Sequence, residues 1–170
     1  MSDSILDLQP ISRVRRNHGL EHATINVLNK KYPGVKLGGM STPFGFTIVA
    51  DLPTEAVAEG AIEALKRLRA GEADLAMHPN CGTNYAMAGA VAGTAAWLGT
   101  LGCRKEFKHK LERLPLIIVL ATVSLILTRP LGPLMQKYIT TASDPGGMEL
   151  ERVETAVRAG VRMHRILTRG

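Results

Sequence analysis

Between Cys81 and Cys103 the chain carries no charged residue. As a helix rising about 1.5 Å per residue, the core of that run, YAMAGAVAGTAAWLGTLGC, is long enough to cross the ~30 Å hydrocarbon layer of a bilayer. This run constrains the fold more than any other stretch, because a transmembrane helix divides the chain into parts on either side of it. Its apolarity comes largely from alanine and glycine. Gly89-x-x-x-Gly93 and Ala92-x-x-x-Ala96 give it a small-residue texture that permits close approach of a second helix, including one from another copy of the chain. The same run would also suit a helix buried inside a soluble protein.

A second apolar run, LPLIIVLATVSLILT from Leu114 to Thr128, is more hydrophobic per residue but shorter. It can span by continuing to Met135, with Pro130 producing a kink and Arg129 reaching the interface. The linking RKEFKHKLER is too short for a domain, so the two runs are expected to form a transmembrane hairpin with both chain ends on one side. Five basic residues in that link compete with Lys66, Arg67, Arg69, Arg129 and Lys137 on the terminal side, so the distribution of positive charge does not orient the hairpin. A folded N-terminal part without a signal-type leader is expected to stay where it is made, placing both termini in the cytoplasm. The partners expected are the lipid bilayer and a membrane protein or a homo-oligomer formed through the Gly/Ala-rich helix.

The formal net charge of +6 raises the alternative of nucleic acid. The charge is unevenly placed: nine basic and nine acidic residues up to Pro79, then twelve basic against six acidic. With few aromatic residues to stack on bases and no basic docking motif, nucleic-acid binding is not expected. Two cysteines, Cys81 and Cys103, give no disulfide framework and suit a reducing compartment.

The part before the hairpin reads as a small α/β unit. A first helix begins near Ile11 and ends at KKYPG, with basic residues in its last turn. VKLGG and GFTIVADL are expected as strands around a turn, followed by a helix from Pro53 to Ala70. ADLAM is expected as a further short strand. In the second helix Glu55, Glu59 and Glu63 lie opposite the apolar face, with Glu63 spaced to pair with Arg67.

On the first helix, Ile11, Val14, His18, Glu21, His22, Ile25 and Leu28 fall within an arc of about 120°. Aliphatic residues above and below the ionisable ones predict that this stripe packs inward, and buried ionisable groups need partners. His78-Pro79-Asn80-Cys81-Gly82 supplies candidates. It has the form of a metal-binding knuckle whose first cysteine has become histidine. With His18 and His22 one helical turn apart, His78 and Cys81 would complete a tetrahedral shell, and zinc suits such a nitrogen-and-sulfur set. The alternative is that the histidines are capped by backbone carbonyls and Cys81 is a small buried hydrophobe.

His18-x-x-Glu21-His22 is also the order found in inverzincin metalloproteases, where the glutamate activates water. Four protein ligands would leave no place for water, making the metal structural and Glu21 a group that orients a histidine. Three would leave one, and Glu21 could then act as general base of a zinc hydrolase near the membrane surface.

HGLEHATI, followed by HPNCGTN and an apolar helix, resembles a group of small bacterial membrane proteins with a domain of unknown function, related in pattern to the YqhQ-type proteins and carrying HGxEH and HPxCGT. The resemblance covers about Arg15 to Thr100 and implies a membrane protein with a candidate metal site. It implies no activity.

From Met148 onward the chain reads as an amphipathic helix, with Leu150, Val153, Val157, Val161 and His164 on one side and Arg158, Arg162, Arg165 and Arg169 on the next. Such a helix suits an anionic membrane surface or the protein's own cytoplasmic part. The expected whole is thus α+β: a cytoplasmic α/β metal-binding unit over residues 1–80, able to stay soluble as a fragment, a transmembrane hairpin over 81–136, and a linker with an amphipathic helix over 137–170.

Overall fold

A computed structural model describes residues 4–102 and 107–170. Helix α1 covers Ile11–Lys31, with Lys30 and Lys31 in its last turn, where the carbonyl end of a helix dipole favours cations. Gly34, at a φ of 91°, follows it. The burial of α1 is wider than the single stripe expected. From Asn17 to Leu28 every residue is buried except His18 and Asn26, which are partly buried. The helix is enclosed because α2 (Thr54–Arg69) packs along it while the sheet meets it on another side. Its buried polar groups are satisfied accordingly: the Asn17 amide donates to the Thr42 carbonyl at 2.8 Å, and its oxygen accepts from the Thr168 hydroxyl at 2.7 Å.

Strands β1 (Gly38–Thr42) and β2 (Gly45–Val49) form a hairpin with Thr42 paired to Gly45. The expected strand VKLGG therefore lies too early by a few residues: the strand is GGMST, and the chain turns at Pro43–Phe44. The segment ADLAM is no strand. Residues Ala73–Ala76 make a short 3-10 turn.

The larger correction concerns the C-terminus. Residues expected as an amphipathic helix are strands β3 (Glu149–Arg158) and β4 (Val161–Arg169), and β4 pairs with β2 in an antiparallel sheet of order β1-β2-β4-β3. The two-residue turn at Ala159 and Gly160 has positive φ at both positions, 49° and 76°, the geometry that matches the twist of paired strands. Alternation then decides burial. His164, Ile166 and Thr168 are buried, whereas Arg165 and Arg169 are exposed.

The core joins Leu20, Ala23 and Leu28 of α1, Phe46 and Ile48 of β2, Val57, Ala61 and Leu65 of α2, and Ile166 of β4. Each large apolar side chain so buried contributes about 1.5–3 kcal/mol. Glu63 of α2 meets Lys31 at 2.6 Å and Arg67 at 3.8 Å. Glu55 and Glu59 are exposed.

By contacts the chain divides into two compact units. One comprises the residues up to His78 together with Gln136–Gly170; the other is Pro79–Met135. The second contains helices α3 (Gly82–Gly99), α4 (Phe107–Leu127) and α5 (Leu131–Met135). Gly99 lies against Ile117 and Leu120, so α3 packs on α4. Among the described residues no single helix is long and apolar enough to cross a membrane; Leu111–Leu127 and Leu131–Thr140, bent by 53°, pass that test only as a pair. The physical reason is composition. Alanine and glycine give α3 little hydropathy per residue, and the first turns of α4 hold Lys108, Glu112 and Arg113.

Candidate metal centre

Three backbone carbonyls in succession are held by α1. The Asn26 amide donates to the carbonyls of Leu75 and Met77, both at 2.9 Å, and His22 Nδ1 lies 2.9 Å from the Ala76 oxygen. Because the side chains at positions 22 and 26 lie one above the other on a helix, they anchor the short segment that leads into His78.

A second segment is gripped further along the same helix. His18 Nδ1 stands 2.9 Å from the Thr140 carbonyl. Arg15 donates to the carbonyls of Ile139 (2.8 Å), Tyr138 (3.3 Å) and Thr141 (3.3 Å), which closes the end of the π-helical turn Gln136–Thr140. Gly19 makes room for this. A Cβ there would collide with the Ala142 carbonyl, so only glycine lets the segment lie directly on the helix.

These contacts settle the tautomers of both histidines. A carbonyl oxygen can only accept, so each Nδ1 must carry the proton and donate it. In the neutral ring the lone pair then belongs to Nε2, the arrangement in which metal-ligating histidines are held by a backbone carbonyl. The rings of His18 and His22 are 4.3 Å apart between centroids, edge to face. His18, His22 and Cys81 form a group that could hold a metal ion, each offering one ligand atom, with these atoms within 4.8 Å of one another. Cys81 caps α3, its sulfur accepting from the Thr83 amide at 3.4 Å.

His78 lies outside this group of three, with its ring centroid 5.8 Å from that of His22. Its backbone is clasped by Gln136: the His78 amide donates to Oε1 at 2.9 Å, and Nε2 donates to the His78 carbonyl at 3.0 Å. Glu21 is buried, accepts from the Ser41 hydroxyl, and lies against Gly39, where a Cβ would collide with its carboxylate. The Nδ1 atoms of His18 and His22 face the carbonyls of Thr140 and Ala76, while the Glu21 carboxylate meets Ser41 of β1.

Fold and site thus define the chain as a mixed helix-and-sheet protein with a His/His/Cys group able to take a metal ion. It belongs to the family described as a domain of unknown function (DUF6391), whose model matches residues 13–153. An uncharacterized protein of Picosynechococcus sp. is 32% identical over 165 residues, covering 89% of this chain and 77% of its own length. No solved structure matches.

Sequence reasoning missed Arg15, Gln136 and Thr140. All three act through backbone groups on a segment remote in sequence, for which side-chain spacing carries no signal. Gly19 did carry one: a glycine inside a helical pattern often marks close approach.

Proposed function

We propose that this chain is a membrane-anchored metal-binding protein and that its metal is zinc, held by His18, His22 and Cys81 with His78 as the fourth ligand. The observation that carries this reading is the commitment of both Nδ1 atoms to backbone carbonyls, because it presets two imidazoles for ligation through Nε2 beside a cysteine. A mixed nitrogen-and-sulfur set favours zinc over magnesium or calcium, which take oxygen. Backbone carbonyls also cap the histidines in the purely structural alternative. The metal reading adds a use for the two remaining Nε2 lone pairs, which that alternative leaves grouped with the Cys81 sulfur for no purpose.

Anchoring is supported by the second unit. Leu116, Ile118, Val119, Val123, Leu125 and Ile126 of α4 are exposed large apolar residues, more than a water-facing surface carries on one helix. In this reading lipid covers them, both termini lie in the cytoplasm, and the face of α3 bearing Gly89 and Gly93 accepts another helix. Zinc-dependent hydrolysis is the second reading, favoured by a group of three ligands that leaves a fourth position for water.

Metal analysis of the detergent-purified chain tests the proposal. Near-stoichiometric zinc in the parent, lost in both His18→Ala and Cys81→Ser, is the expected result. Equal metal content in all three would overturn it.

A further inference from the structure

Gln136 is among the most deeply buried polar side chains, 1% exposed, and it is the buried residue of the π-helical turn Gln136–Thr140. A π turn is rare and recurs at functional sites because it re-aims one side chain without ending the helix. Here the extra residue is taken up in the bond from the Thr141 amide to the Gln136 carbonyl at 3.0 Å, with the Thr141 hydroxyl on the same oxygen at 2.8 Å. The side-chain amide, so aimed, meets His78 as a neighbouring strand would: acceptor to amide, donor to carbonyl.

We infer that Gln136 is a positioning residue for the metal centre, fixing the backbone of the His78–Cys81 knuckle so that its ligands stand where the histidines of α1 need them. The inference rests on the metal reading above and extends it to a residue that touches no metal. Two facts favour this role over general packing. Both hydrogen-bonding halves of the amide reach the backbone of one residue, and that residue lies three positions before Cys81. The chain leading up to it is already held by His22 and Asn26, so Gln136 completes the restraint at the last residue before the turn. The same π turn ends at Thr140, whose carbonyl orients His18. One short segment therefore sets both a ligand from the helix and the start of the knuckle.

The test uses the full chain in detergent, cobalt(II) as the probe, and a Cys103→Ser background that leaves Cys81 as the single thiol. Gln136→Leu removes both hydrogen bonds. Gln136→Glu keeps the acceptor, loses the donor and preserves shape, so it serves if the leucine variant fails to fold. The expected result is cobalt affinity about 10–100-fold weaker in Gln136→Leu, the range of other outer-shell changes, with a smaller loss in Gln136→Glu. The sulfur-to-cobalt charge-transfer band at saturation should weaken. Without metal, alkylation of Cys81 by iodoacetamide should be faster in the variants while circular dichroism is unchanged. A parent that takes up no cobalt would overturn the metal reading and this inference with it. A parent that binds cobalt, with variants matching it in affinity, band intensity and alkylation rate, would overturn the role of Gln136 alone.

Discussion

Gly19 and Ala142 lie so close that a single methyl group on the glycine would strike the alanine carbonyl, although 122 residues lie between them in sequence. The contact determines which residue the motif HGLEH can carry at its second position. In an unobstructed helix, Gly→Ala would gain up to about 1 kcal/mol from propensity. Here the sign should reverse. Gly19→Ala should lose about 1–3 kcal/mol, the usual cost of overpacking, measured by denaturant unfolding in detergent, and should weaken the proposed metal binding because the Thr140 carbonyl is pushed from His18. A stabilised variant would show that the 140–142 segment does not rest on α1.

Glu21→Gln should retain its metal. The carboxylate accepts from Ser41 and lies against Gly39, while the Nδ1 atoms of His18 and His22 face backbone carbonyls. Zinc content within a few-fold of the parent is expected. A large loss would return Glu21 to the role of orienting a ligand.

His164 is fully buried, with Nε2 donating to the Ala50 carbonyl at 3.3 Å and Nδ1 facing the Thr155 hydroxyl at 3.4 Å. Burial, aided by the charge of Arg162, lowers its pKa below the ordinary 6.5, against the opposing pull of the Ala50 and Leu52 carbonyls and Glu55. Between its folded and unfolded values the unfolded chain binds more protons, so stability falls as pH drops below about 6.5 and is fully present above it. Unfolding midpoints of the metal-free chain from pH 8 to pH 5 should show this decline, and His164→Gln should flatten part of it. An unchanged slope in the variant would assign the effect elsewhere.

Ala159 occupies a positive-φ position in the β3–β4 turn, where L-residues other than asparagine and aspartate are strained. Ala159→Asn creates the Asn-Gly pair that such turns prefer. It should stabilise by about 0.5–1 kcal/mol, read as a raised unfolding midpoint with circular dichroism unchanged. Destabilisation would contradict the turn geometry.

A fragment ending at Asn80 should not fold, contrary to the expectation drawn from its composition. It lacks β4, the partner of β2, and the Thr140 carbonyl on His18. Circular dichroism of that fragment should show little structure, and a cooperative thermal transition would refute the interleaved sheet.

Much of the first unit was legible because its signals are local. The apolar spacing, basic last turn and Pro-Gly stop of α1, and the opening Pro53 and alternating glutamates of α2, each act within a few residues. His18, His22 and Cys81 could be read as one group because the residue types themselves imply convergence. The C-terminal strands were misread for a physical reason. Leu150, Val153, Val157 and Val161 recur at helical spacing, while the opposing signals, β-branched Val153, Thr155, Val157 and Val161 around Ala-Gly, favour a hairpin. What decided was tertiary: β2 needed a partner across its open edge, and local spacing carries no trace of that need. The segment from Gln136 to Ala142 was illegible for a related cause, since its contacts in the site run through backbone groups, its own carbonyls or the His78 backbone that Gln136 clasps, and every residue possesses those.

That the sheet closes between β2 and β4 has a consequence for the order of events during synthesis. When β2 leaves the ribosome, its partner is still more than a hundred residues away, and every apolar segment of the second unit must be made before it appears. For that interval Phe46 and Ile48 belong to a strand with one edge unsatisfied, a condition that invites pairing with other chains. The newborn protein therefore completes its core last, after its most hydrophobic stretch has already found, or failed to find, a place of its own.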